Sequence, residues 1–298
     1  MQALIGLIRT MRPKQWTKNV VVYAGIVFDG QLFNPDSFFR ITLGFFLLCL
    51  ISSSIYIIND IVDIESDRQH PKKRLRAIPS GQLPITMAIV AGIILTVGTL
   101  VVGFALSPYF AAVLLLYLVI HLLYSFYLKR VVLLDIFAVA SGFILRVVAG
   151  VTLVHVMTFS PWLYASIGLL ALFLVIGKRR QELLLLAEKA GSVRVTLDSY
   201  NLPLLDDMLR MVTTATLVTY ILYTIEAPSI LLAGTNLALL TVPFVLYALF
   251  RYLYLIHVKG EGSAPDEVLL KDRPLQIAIG LWGLTFVAIL YLAPVMRT

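Results

Sequence analysis

The residues able to do chemistry together crowd into one stretch. Asn59, Asp60, Asp63 and Asp67 run into Lys72, Lys73, Arg74 and Arg76, in a chain of 298 residues of which only 14% are charged. On a helix, Asn59, Asp63 and Asp67 stand four residues apart and form one row of oxygen donors. Such a row suits Mg2+, which takes one or two protein carboxylates and completes its shell with water and phosphate oxygens. The bases just beyond can answer phosphate charge that the metal leaves over. The chemical reading is a metal-held diphosphate. Asp60, Asp63 and Asp67 are the candidate catalytic acids, and Asn59, Asp63 and Asp67 the candidate metal ligands. Asn59, Lys72, Arg74 and Arg76 are candidate substrate contacts. The competing reading is a solvated loop whose bases only orient the chain; acids aligned where an apolar run meets water favour the functional one.

The elements that must position these residues are membrane helices. With 59% hydrophobic residues and a mean hydropathy of +0.91, the chain is expected to be an all-α polytopic membrane protein. Apolar runs predict about nine spans, near 19–35, 39–59, 85–106, 109–128, 132–154, 161–178, 208–227, 229–250 and 275–295. With the N-terminus inside, all but three of the 24 Lys and Arg fall on the cytoplasmic side, the exceptions being Arg40, Arg146 and Arg297. This asymmetry predicts an N-in, C-out protein of the cell membrane. The net charge of +7 is then largely topogenic and open to anionic lipid headgroups, and no separate basic domain suggests nucleic-acid binding. No cleavable signal is expected, because Met1 to Met11 is followed by Arg12-Pro13-Lys14-Gln15-Trp16. The single Cys49 reads as packing, and His70, His121, His155 and His257 form no ligand pattern.

The acidic block resembles the N-D-x-x-D-x-x-x-D motif of the UbiA superfamily of intramembrane prenyltransferases. Asn59, Asp60, Asp63 and Asp67 occupy its four named positions. Arg76-Ala77-Ile78-Pro79-Ser80-Gly81 is similar to the basic segment that follows, with Ala77 where proline is usual. The resemblance implies one transmembrane domain over 1–298, helices around a central cavity, and cytoplasmic active-site loops near 60–84 and 178–207.

The second loop departs from the family pattern. Where the superfamily often has D-x-x-x-D, Asp198 is followed four residues later by Leu202. Here stand Gly177-Lys178-Arg179-Arg180-Gln181-Glu182-Leu183, then Tyr200 and Leu204-Leu205-Asp206. Lys178, Arg179, Glu182, Tyr200 and Asp206 are candidate substrate contacts, against the alternative that the bases only anchor the topology. These strings, with Arg12-Pro13-Lys14-Gln15-Trp16-Thr17-Lys18-Asn19, resemble the branch that transfers phosphoribose from phosphoribosyl diphosphate to decaprenyl phosphate. Lys18 and Asn19 join the candidates, while Trp16 reads as an interfacial anchor. Arg146, inside a predicted span on a face with Ala138, Gly142 and Gly150, should point into the protein, toward a phosphate or toward a structural partner.

The resemblance therefore implies a Mg2+-dependent transfer of phosphoribose to a long polyprenyl phosphate, with release of diphosphate. Prenyl transfer to an aromatic or lipid acceptor is the alternative; a transporter would leave a metal-diphosphate motif without a role.

Overall fold

The computed structural model describes residues 2–70, 73–154, 160–187, 199–226, 236–261, 268–269 and 271–291, among which there is no strand. In chain order the helices are α1 (Gln2–Met11), α2 (Ala24–Phe28), α3 (Pro35–Val62), α4 (Ile64–Gln69), α5 (Ile85–Leu106) and α6 (Pro108–Phe126). They are followed by α7 (Leu134–Val151), α8 (Pro161–Ala187), α9 (Leu202–Glu226), α10 (Val242–His257) and α11 (Arg273–Tyr291). Eight helices among the described residues are long and apolar enough to cross a membrane: α3, α5 to α9, Leu237–His257 and α11. Their outer faces agree, for α5 leaves Ile93, Ile94, Val97, Val101 and Phe104 exposed, a surface suited to lipid.

The span expected over 19–35 takes a different form. Pro13–Tyr23 is a 3-10 helix, α2 lasts five residues, and Gly30 turns the chain at φ 73. Three successive β-branched valines and the buried polar Asn19 weaken an α-helix here. Asn34 then starts α3: its Oδ1 accepts from the backbone N–H groups of Asp36 and Ser37 at 3.1 and 3.2 Å, with Pro35 at the first helical position.

Two compact units divide the chain. The first comprises residues 1–26, 31–128 and 145–155. Its main core gathers Val22, Ile26, Leu48, Ile51, Phe110 and Leu114. A smaller cluster of Ile57, Ala77, Ile78 and Leu83, with Leu7 and Met11 against it, plugs the segment after Arg76 beneath α1. The plug closes through Gly81 at φ 79 and the Leu83 N–H to Ala77 carbonyl bond of 2.8 Å. The second unit comprises residues 27–30, 129–144 and 156–298. It has one core around Phe173, Leu205, Leu249 and Tyr252, and an aromatic one in which Trp282 donates to the Tyr220 hydroxyl at 2.7 Å.

Gly150 gives a test of the first unit. A Cβ there would run into the Val22 carbonyl, which belongs to the backbone and cannot swing aside. Gly150→Ala is expected to cost roughly 1–3 kcal/mol, read as a lower thermal midpoint in detergent. Gly98→Ala, which meets nothing within 4 Å, should leave that midpoint at or above wild type. Equal midpoints for the two variants would contradict this packing.

Candidate active site

The acid row survives a break in its helix. α3 ends at Val62 and α4 begins at Ile64, with Asp63 between them at φ −91, ψ 10. The Asp63 N–H still bonds the Asn59 carbonyl at 2.9 Å, and the Asp67 N–H the Asp63 carbonyl at 2.8 Å. Four-residue spacing is thereby kept across the turn, so Asn59, Asp63 and Asp67 stay in register.

Around the row the first unit places cations. Asp60 and Asp67 are 2% and 1% exposed. Arg76 bridges them, 2.6 Å from Asp67 Oδ2 and 3.2 Å from Asp60 Oδ1. Arg12 donates to the same Asp60 oxygen at 2.5 Å, and Lys73 Nζ lies 3.7 Å from Asp67 Oδ1. Arg74 sits on the exposed 3-10 helix Lys73–Leu75. Lys72 lies outside the described residues. The Asn59 side chain meets the Ser125 hydroxyl of α6.

No group of three or more His, Cys, Asp or Glu able to hold a metal occurs among the described residues. The candidate donors are Asp63 and Asp67 with the Asn59 amide oxygen; Asp67 is ion-paired to Arg76 and Lys73 and Asn59 Oδ1 accepts from Ser125, so a metal would have to displace or share these partners. Hard oxygen donors, few in number and followed by bases, match Mg2+ that keeps places for water and phosphate.

Arg146 belongs to a second polar group in this unit. It is 5% exposed, donates from Nε to Asn19 Oδ1 at 2.7 Å and from Nη2 to the Tyr117 hydroxyl at 2.6 Å, and lies over the Tyr117 ring. Asn19, 1% exposed, also reaches Cys49 Sγ at 3.2 Å. Lys18 lies in the 3-10 helix Pro13–Tyr23. Arg146 thus takes the inward position expected of it, and ties α7 to α6 and to the N-terminal segment.

In the second unit Lys178, Arg179 and Glu182 lie on α8, which runs on to Ala187 beyond the expected end at 178. Arg179, 3% exposed, pairs with the wholly buried Asp135 at 2.8 Å and with Glu182 at 2.5 Å. Tyr200 donates to Asp135 Oδ1 at 2.7 Å and accepts from the Leu133 N–H at 2.8 Å, supporting Leu133 at φ 68. Burial, and then the bond to Asp135, push the Tyr200 phenol up to about 12, so it stays a proton donor at neutral pH. Asp206 accepts from Arg180 at 2.6 Å. Lys178, its side chain 44% exposed and 3.9 Å from Glu182, is the cation of this run best placed to meet a phosphate from solvent.

Sequence reasoning left out Arg12, Tyr117 and Ser125 as site residues. Arg12 was visible in the Arg12-Pro13 string. Tyr117 and Ser125 carry no such signal, being single polar groups in an apolar helix.

Residues 19–270 match the model of the UbiA prenyltransferase family. The decaprenyl-phosphate phosphoribosyltransferase of Corynebacterium glutamicum is 35% identical, over 97% of this chain and 88% of its own. That of Mycolicibacterium smegmatis is 34% identical, over 96% and 92%. In fold, the chain is similar to a UbiA homolog from Archaeoglobus fulgidus solved with DMAPP and Mg2+, with a TM-score of 0.71 at 18% identity, over 95% of this chain and 98% of that one.

Proposed function

The chain belongs to the UbiA prenyltransferase family, and from that premise we propose that it transfers phosphoribose from phosphoribosyl diphosphate to a long-chain polyprenyl phosphate. The observation that carries this reading is the likeness, along nearly the whole of both chains, to curated decaprenyl-phosphate phosphoribosyltransferases. The first unit's cluster of buried acids and half-exposed bases is the chemistry such a reaction needs.

An oxygen of the lipid phosphate attacks the anomeric carbon of the sugar, the bond from that carbon to the diphosphate oxygen breaks, and the electron pair leaves with diphosphate. An ionised phosphate is already a nucleophile, so no general base is required. Asn59, Asp63 and Asp67 would hold Mg2+, which neutralises charge building on the departing diphosphate. In the first unit Arg76, Lys72 and Arg74, and in the second unit Lys178, are the cations this reading assigns to phosphate oxygens. Lys18 would join them from the N-terminal segment. Arg179, Glu182 and Tyr200 act around Asp135 as a frame for Lys178, Asp206 holds Arg180, and Arg146 with Asn19 fixes the N-terminal segment. The spans make this an integral membrane protein. The excess of basic residues in the loops expected inside favours a cytoplasmic site.

The test uses purified protein, polyprenyl phosphate and phosphoribosyl diphosphate labelled in the ribose. Label should pass into the solvent-extractable lipid with Mg2+ and stop on adding EDTA, returning with excess Mg2+. Unchanged transfer in EDTA would overturn the metal assignment; no labelled lipid at any Mg2+ concentration would overturn the reaction.

A further inference from the structure

The face of α3 next to the acid row points to a separate task for one of its acids. Successive residues on an α-helix are turned by about 100°, so Asp60 leaves the line of Asn59 and Asp63. It shares instead a stripe with Tyr56, Ser53 and Cys49, at spacings of four, three and four. Every member of that stripe meets the N-terminal segment. Asn19 reaches Cys49 Sγ at 3.2 Å, and Trp16 Nε1 donates to Ser53 Oγ at 3.1 Å. Ser53 in turn donates to the Met11 carbonyl at 3.0 Å. The Arg12 guanidinium lies 4.7 Å over the Tyr56 ring and bonds Asp60.

Asp60 ends this stripe as a buried acid holding two cations that reach outward. Its side chain is 3% exposed, while those of Arg12 and Arg76 are 30% and 34% exposed, and both guanidinium groups converge on its Oδ1. One bond to the acid leaves each guanidinium with N–H donors directed elsewhere. Arg12 is held there in the left-handed backbone region, at φ 54, ψ 61, uncommon for a residue with a side chain. With Lys73 beside Asp67, the three bases and two acids of the cluster carry one net positive charge.

We propose that Asp60 is a positioning residue that fastens Arg12 and Arg76 into one anion-binding pair, which receives a phosphate group of a phosphorylated substrate, and that it does not hold the metal. The motif's acids then divide: Asp63 and Asp67 serve the metal, Asp67 also steadying Arg76 at 2.6 Å, while Asp60 alone joins Arg12 to Arg76. This deepens the proposed function and rests on it only for which substrate owns the phosphate.

Charge gives the test its sign. Asp60→Asn removes a negative charge next to an anion site, which by Coulomb attraction alone should tighten anion binding; loss of positioning loosens it. In purified full-length protein, inorganic diphosphate binding is measured by calorimetry and Mn2+ binding by electron paramagnetic resonance. Asp60→Asn and Arg12→Gln should each weaken diphosphate binding about tenfold, with the double variant no worse than either single one. Mn2+ affinity should stay within about twofold in both, whereas Asp63→Asn should lose it. Arg12→Lys should restore little, since an ammonium lacks the guanidinium fork. Arg12 is partly exposed, its side chain 30% open to solvent, so Arg12→Gln decides the matter should Asp60→Asn misfold. In turnover, a raised KM for phosphoribosyl diphosphate assigns the phosphate to the sugar donor, and one for polyprenyl phosphate to the lipid. Tighter or unchanged diphosphate binding, multiplying effects in the double variant, or an Mn2+ loss in Asp60→Asn equal to that in Asp63→Asn would overturn the proposal. If the wild-type protein makes no phosphoribosyl lipid, the proposed reaction falls, while the two binding measurements still decide the role of Asp60.

Discussion

Asp67→Ala and Asp63→Ala are expected to lower turnover by about a thousandfold or more while the protein still folds. A thousandfold corresponds to roughly 4 kcal/mol of transition-state stabilisation, in the range supplied by a metal that neutralises a departing diphosphate. Asp67 is 1% exposed, yet its carboxylate faces Arg76 and Lys73, not the apolar cores. After its loss Arg76 retains Asp60 at 3.2 Å. The variants should therefore elute as the wild type does from size exclusion and show a higher Mg2+ requirement wherever activity remains measurable. Wild-type turnover at ordinary Mg2+ in both would remove Asp63 and Asp67 from the metal site.

The second large effect is on stability, at Asp135. This carboxylate is 0% exposed and Arg179 is 3% exposed, so protein partners stand in for water: Arg179 and Tyr200 around Asp135, and Asp135 and Glu182 around Arg179. Removing one member of a buried pair strands the other, at a cost of about 3–5 kcal/mol. Asp135→Ala and Arg179→Ala should both give protein of poor yield or sharply lower thermal midpoint. Asp135→Leu combined with Arg179→Met, which removes both charges and refills the volume, should recover much of the loss. Lys178→Ala, at a half-exposed cation, should leave the midpoint unchanged and raise KM for a phosphorylated substrate about tenfold, the equivalent of roughly 1.4 kcal/mol. Arg179→Ala with an unaltered midpoint and a tenfold higher KM would make Arg179 the phosphate ligand and refute its structural role.

The contrast between Lys178 and Arg179 marks where sequence reading stops. Adjacent bases look alike in a string, and their fates separate only when α8 continues past them and turns one toward Asp135. The long apolar spans were legible because crossing a membrane demands about twenty apolar residues whatever their partners. The row Asn59, Asp63, Asp67 was legible because its four-residue spacing is a local property, and the i to i−4 bonds keep it even though the helix breaks at Asp63. The segment 19–35 was not, since its composition suits a helix while its buried Asn19 is satisfied only by Cys49 and Arg146, 30 and 127 residues away. Arg12 stood in a legible string, but its role was not legible, because its acid is 48 residues distant.

The central claim is that phosphoribose is joined to the phosphate of the lipid with loss of diphosphate, and a double label tests it most directly. Polyprenyl phosphate carrying 32P and phosphoribosyl diphosphate carrying 14C in the ribose are incubated with the purified protein and Mg2+. One lipid product should hold both labels in equal amounts, with one equivalent of unlabelled diphosphate released. Absence of that product, together with turnover of a prenyl diphosphate and an aromatic acceptor by the same preparation, would contradict the account.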